Sequence, residues 1–309
     1  MKLSYLPVHF YLRFEKLAKV DNQPLFVLRS VMGKNLRSMC CIAHKNKCAD
    51  CMYNATCAYS FLFETILQKD NTIVEGRNRA SHPFAFTQGA KFSGEIEAYD
   101  FTITLFGKAI DFLPYIYAAF VRAGQMGLFR DRVRFEVEDV KVDDKSILYD
   151  KERINTDLKA KEIELKHFEN AETSKKEILI ELKTPLRFKA GGKYSVDFSA
   201  KDFMNCLYRR AKTLCQLYGE MAEEDEKYQV NDRLDITEKS LRWNDKFHYS
   251  ARQKELMKLG GAMGTFKIVG EFSDYELLLL SAAKVCNAGK NTNFGLGQLD
   301  FWEREKIWA

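Results

Sequence analysis

The feature that most constrains the fold is a repeat inside the chain. Ala123-Gly124 followed by Gly127-Leu128 recurs as Ala288-Gly289 followed by Gly295-Leu296. In both places the Ala-Gly pair ends a helical pattern and the Gly-Leu turn leads into a last strand. The patterns upstream agree. Residues 3–17 alternate as a strand, and Pro24 opens a helix with Leu25, Leu28, Val31, Met32 and Leu36 on one face. Strands follow at 83–87 and 92–105, then a helix capped by Asp111 with Leu113, Tyr117, Phe120 and Val121, then a strand at 132–140. In the second half a strand at 177–188 precedes a helix capped by Ser199, with Phe203, Leu207, Ala211, Leu214 and Tyr218 as its apolar stripe. Strands at 240–251 and 264–272 lead to the capping box Ser273-x2-Glu276, a helix with Leu278, Leu279, Ala282 and Val285, and a strand at 298–302.

Each half reads β-α-β-β-α-β, an antiparallel sheet with two helices on one face. The predicted class is α+β: tandem ferredoxin-like (RRM-like) domains, at residues 1–141 and 176–309. A charged connection at 142–175 joins them, and the first half carries a small cysteine-rich insertion at 40–57. The 309 residues suit two such domains. No run approaches the roughly 18 apolar residues of a membrane span, and the first residues lack an apolar signal core. A soluble intracellular, cytoplasmic protein is expected, with no membrane partner.

Five of the eight cysteines fall between positions 40 and 57. Cytosolic chains rarely keep disulfides, so clustered thiols point to metal chemistry. Cys41, Cys48, Cys51 and Cys57 are the expected ligands, because the Cys48-x2-Cys51 spacing lets one tight turn offer two sulfurs to a tetrahedral ion. Cys40 and His44 are alternative ligands. Zinc is favoured over an iron–sulfur cluster, and four thiolates leave no open position, so the metal would be structural. Cys206, Cys215 and Cys286 sit at helical positions as buried free thiols.

Lysine and arginine number 48 against 43 acids, a net charge of +5. The acids gather at 139–157 and 220–226, which leaves room for a basic face. Arg29, Lys34 and Arg37 lie mostly off the core face of the first helix. Arg242, Lys246, His248, Arg252, Lys254 and Lys258 interleave with Trp243, Phe247 and Tyr249, which offers charge for phosphates and flat surfaces for bases. The segment from Gly289 through Lys290, Asn291 and Gly295 to Gly297 is glycine-rich, so several N–H groups could face one anion. It follows a helix and lacks the Gly-Lys-Ser/Thr order, so it is no Walker A loop.

These residues carry a resemblance. Leu28-Arg29-x3-Gly33 leads into the four cysteines and Cys57-x-Tyr59-x3-Phe63-Glu64. Then come Thr184-Pro-Leu-Arg-Phe-Lys189, Arg209-Arg210, Tyr249-Ser-Ala-Arg-Gln253, Gly260-Gly261-x2-Gly264 and Gly289-Lys290-x3-Phe294-Gly-Leu-Gly297. The ordered set resembles the CRISPR-associated endoribonucleases of the RAMP superfamily that process precursor CRISPR RNA. The resemblance implies metal-independent cleavage within the CRISPR repeat. The 2′-hydroxyl would attack the adjacent phosphate, leaving a 2′,3′-cyclic phosphate or 3′-phosphate and a 5′-hydroxyl. Repeat RNA is then the partner, with CRISPR effector complex subunits receiving the product. A non-catalytic RNA-binding subunit of such a complex is the alternative.

That chemistry needs a base, an acid and a cation for the phosphorane. His248 stands among basic residues beside Tyr249, and His44 follows the first helix, where the superfamily often places its base. These two histidines are the catalytic candidates. Lys290 and Arg252 are the expected phosphorane stabilisers, and Tyr249 with Lys290 the pair for cleavage without histidine. His9 and His82 read as structural, and His167 lies in the connection.

Overall fold

The computed structural model describes the chain except residues 21–22, 44–46, 68–78, 90–93, 151–152, 167–172, 222–231, 251–254 and 304–309, and except the side chains of 248–250. It divides into two compact units, one essentially residues 3–162 and the other residues 163–309 with Met1–Lys2; the short stretch Leu217–Gly219 groups with the former.

In the first unit β1 (Lys2–Lys19), β2 (Phe84–Gln88), β3 (Glu95–Phe106) and β4 (Phe135–Val142) form an antiparallel sheet in the order β2-β3-β1-β4. Alternation decides which face is covered: Leu6, Val8, Phe10 and Leu12 of β1 are buried, while Pro7, His9 and Tyr11 between them are half-exposed. Against the buried face lie α1 (Pro24–Cys40), through Leu25, Leu28, Met32 and Leu36, and α2 (Leu113–Met126), through Ile116, Tyr117, Phe120 and Ala123. Pro24 stands in the first turn of α1, where no partner for its missing N–H is needed. Asp111 does not cap α2. A 3₁₀ segment, Gly107–Phe112, fills that place and Phe112 is the residue at the helix boundary.

The charged stretch after β4 is no free linker. Lys145–Ser146 pairs back onto β4, Ile147 is part of the first unit's core, and Leu148, Ile154 and Leu158 pack against it.

The second unit repeats the plan with β5 (Thr173–Leu186), α3 (Ala200–Tyr218), β6 (Leu234–Asn244), β7 (Gly261–Ser273), α4 (Asp274–Cys286) and β8 (Leu299–Glu303), in the sheet order β6-β7-β5-β8. This is the same permutation as in the first unit. Local sequence explains both helix starts. Ser199 and Asp202 bond reciprocally, Ser199 N–H to the carboxylate at 3.0 Å and Asp202 N–H to the hydroxyl at 3.1 Å. Ahead of α4 the Ser273 N–H donates to Glu276 Oε2 at 2.6 Å. Buried Arg210 on α3 donates to the Cys286 carbonyl at 3.3 and 3.2 Å, placing a cation at the C-terminus of α4. No described helix is long and apolar enough to cross a membrane.

Candidate functional site

The glycine-rich loop after α4 folds onto the end of β5. Gly297 N–H donates to Pro185 O at 3.0 Å and Lys290 N–H to Arg187 O at 2.8 Å. Beside them Gln298 N–H reaches the Thr184 hydroxyl at 2.9 Å, and Thr184 N–H bonds Gln298 O at 3.3 Å. The second glycine motif closes on the same residues: a Cβ on Gly261 would stand 2.6 Å from Leu186 O, and one on Gly289 2.5 Å from Arg187 O. Three sequence motifs far apart in the chain are thus one structural knot around Pro185-Leu186-Arg187.

That knot corrects the anion-cradle expectation. The N–H groups of Lys290, Phe294, Gly295, Leu296 and Gly297 all donate to backbone carbonyls of the loop or of β5's end. The Gly289 N–H is directed at the Cys206 thiol, where it partly offsets the burial that pushes that thiol up to about 12. The glycines permit close approach, with φ of +74° at Gly289, +81° at Gly295 and +76° at Gly297. Asn291 also takes positive φ, +62°. What the loop presents outward is the exposed side chain of Lys290, whose Nζ lies 5.9 Å from the centre of the Tyr194 ring.

The other candidates distribute as follows. His248 and Tyr249 lie on a short hairpin, Phe247–Ser250 paired with Glu255–Lys258, where they oppose Met257 and Leu256. Their side chains, and all of His44, His167 and Arg252, lie outside the described residues. Arg242 is exposed on β6 opposite Met263. Lys34 is exposed and lines a cavity of about 340 Å³ with Val27, Val31, Phe129, Arg130 and Arg132. Arg37 is exposed near the Tyr59 ring.

Arg29 departs from the surface role expected of it. It is half-buried, its Nη2 lies 3.2 Å from His82 Nε2, and its guanidinium sits 5.1 Å from the centre of the Phe63 ring. His82 in turn meets Phe63 and Phe84 edge-on. The Leu-Arg-x3-Gly motif follows from this packing, since a Cβ on Gly33 would stand 2.6 Å from Phe63 Cε1.

All of Cys41, Cys48, Cys51 and Cys57 are half-buried free thiols. A 3₁₀ turn, Cys48–Asp50, carries Cys51 N–H to Cys48 O at 3.2 Å. Burial raises the Cys48 thiol, and Glu64, Cys41 and Cys57 add to the rise while Arg37 opposes it. Cys40 is raised by burial and then by Cys57. Cys41 and Cys57 thus act on both the Cys40 and the Cys48 thiols. Among the described residues, however, no three histidines, cysteines or acids converge closely enough to hold a metal ion.

Residues 180–299, which include the knot and the hairpin, match the family model of the CRISPR-associated endoribonuclease Cas6. Over that stretch the chain carries a Cas6 endoribonuclease domain. Residues 3–163 match a second family model, described as an N-terminal domain. The Cas6 chain of a Thermus thermophilus product complex superposes with a TM-score of 0.51 at 12% identity, covering 97% of this chain and 99% of that one. Two structures of a Cas6-RT-Cas1–Cas2 complex give TM-scores of 0.56 at 12% identity, covering 99% of this chain and 47% and 30% of theirs. At that identity these likenesses establish the Cas6 fold. No curated protein sequence matches the chain.

Arg187 and Tyr194 were not singled out by the sequence. The available signal was the alternation Arg187-Phe188-Lys189, which points both cations to one side of an extended segment while Phe188 is buried.

Proposed function

We propose that this protein is a Cas6 endoribonuclease that cuts precursor CRISPR RNA within the repeat by in-line attack of a 2′-hydroxyl on its neighbouring phosphate. A base takes the 2′ proton, the P–O5′ bond breaks, and an acid protonates the departing 5′-oxygen. The ends are a 2′,3′-cyclic phosphate and a 5′-hydroxyl. No metal takes part in that step. The match of residues 180–299 to the Cas6 model carries the reading, because the same residues build the knot that displays Lys290.

In this reading His248 and His44 are the acid–base candidates. Tyr249 and Lys290 are the pair that would orient RNA and balance phosphorane charge if no histidine serves, with Arg252 as a second cation. Arg242, Lys34 and Arg37, all exposed, contact phosphates. The two-domain division at 1–141 and 176–309 belongs to the same proposal, as does a cytoplasmic site of action beside the transcript. The trimmed guide passes to CRISPR effector complex subunits.

We further propose a structural zinc on Cys41, Cys48, Cys51 and Cys57, with Cys40 or His44 as substitutes for one of them and an iron–sulfur cluster as the weaker choice. The influence of Cys41 and Cys57 on the Cys40 and Cys48 thiols supports it. A bound ion would stabilise the cysteine loop and do nothing to the RNA.

The deciding experiment incubates the full chain with the cell's own repeat RNA in EDTA and maps both ends of every product. One cut with a cyclic phosphate is expected. A mobility shift with intact RNA would mean a binding subunit instead.

A further inference from the structure

The segment after β5 turns back through Gly191 and Gly192, whose φ values of +53° and +81° are the two positive angles of a type I′ turn. That turn sets Lys189 opposite Tyr194 and Ala190 opposite Lys193. The Tyr194 ring becomes the meeting point of three cations. The Arg187 guanidinium carbon lies 3.9 Å from the ring centre, Lys189 Nζ 5.6 Å and Lys290 Nζ 5.9 Å. Arg187 is also tethered, its Nη1 donating to Gly260 O at 2.7 Å.

Three like charges around one ring repel each other, and the ring's negative face only partly compensates them. None of the three pairs with a carboxylate among the described residues. The Asp245 carboxylate, held below its usual range first by Lys258 and Trp243 and least by Arg187, is already engaged by Lys258 at 3.0 Å and by Trp243 Nε1 at 2.8 Å. The knot of glycine motifs therefore assembles a cation cluster and leaves it without an internal anion.

We infer that Arg187, Lys189 and Lys290, grouped on Tyr194, are a binding site for the phosphodiester backbone of single-stranded RNA. The guanidinium fork, with Nη1 tethered, keeps other donors for phosphate oxygens, and the two exposed ammonium groups act as point charges for neighbouring phosphates. A backbone with one charge per nucleotide satisfies all three cations at once, which a lone carboxylate does not. Tyr194 is a positioning residue: its ring holds the cations together. The inference rests on the endoribonuclease reading above and names where that RNA is gripped.

The test uses the full chain and repeat RNA carrying a 2′-deoxy sugar at the mapped cut, so that it binds without reacting. Affinity is measured against salt for the wild type, Lys189→Glu, Arg187→Ala/Lys189→Ala, Tyr194→Phe and Tyr194→Leu. Removing two phosphate contacts should weaken binding more than 10-fold and lower the slope of log K against log salt by about 1.4, since each contact on a single strand contributes about 0.7. Lys189→Glu, an exposed change that leaves the Arg187 tether intact, should weaken binding with unchanged thermal stability. Tyr194→Phe should match the wild type, and Tyr194→Leu should lose affinity. Wild-type affinity and slope in the double variant and in Lys189→Glu would overturn the site while leaving the endoribonuclease reading in place. A wild type that neither cuts nor binds the repeat would overturn both.

Discussion

A Cβ placed on Gly297 would stand 1.8 Å from the carbonyl oxygen of Ala288, while the Ala288 N–H donates to Gly297 O at 2.8 Å. The two ends of the glycine-rich loop are thus clamped together, and the clamp tolerates no side chain at 297. Gly297→Ala should destabilise the protein by at least about 2 kcal/mol, because steric overlap adds to the cost of positive φ. Gly191→Ala should cost only about 1 kcal/mol: its φ is also positive, but nothing lies within 4 Å of a Cβ there. Urea unfolding of the two variants side by side measures the difference.

Arg29 offers a second contrast. Its contacts to His82 and Phe63 are internal, so Arg29→Ala should lower stability by about 1–2 kcal/mol. Lys34→Ala, exposed on the same helix, should leave the melting temperature unchanged and weaken RNA binding instead. Thermal melts paired with binding isotherms separate the two behaviours.

The helix-borne thiols predict an alkaline instability. Burial pushes Cys206 and Cys286 up to about 12 from an ordinary 9. Above pH 9 the unfolded chain loses these protons while the folded chain keeps them, so stability present below pH 9 is lost as pH rises toward 12. Each thiol contributes a slope of up to about 1.4 kcal/mol per pH unit. Denaturation midpoints at pH 8.5 and 10.5 should fall less steeply in Cys286→Ala than in the wild type. Iodoacetamide at pH 8 should spare Cys206 and Cys286 in the native protein and label the half-buried thiols of the 40–57 region in metal-free protein.

For the cysteine loop, Cys48→Ser or Cys51→Ser should reduce zinc content and melting temperature together, because metal-binding free energy is partly folding free energy. Metal content by atomic absorption is the check. Full zinc occupancy in the double substitution would remove the site.

Periodicity and caps made the scaffold legible in the sequence. Alternation in β1, the Ser273/Glu276 box and the repeated Ala-Gly and Gly-Leu pairs mark each half as β-α-β-β-α-β, and the folded sheets take the orders β2-β3-β1-β4 and β6-β7-β5-β8. Asp111 misled because a polar residue before Pro114 looks like a cap, whereas a 3₁₀ segment already occupies 107–112. The glycine loop misled for a deeper reason. Glycine spacing reveals that backbones come close, but not which backbone: the acceptors at Pro185 and Arg187 lie about a hundred residues upstream, and only the folded sheet brings them in. Arg187 was hidden likewise, since its neighbours Tyr194, Gly260 and Lys290 come from three separate segments.

The most direct test of the account replaces one ribose. The full chain is mixed with repeat RNA in EDTA, and the product ends are compared with those from the same RNA bearing a single 2′-deoxy sugar on the 5′ side of the cut. Intramolecular attack predicts a single cut with a 2′,3′-cyclic phosphate for the first RNA, and tight binding with no cut for the second. Cleavage of the deoxy-substituted RNA at the same bond would contradict it.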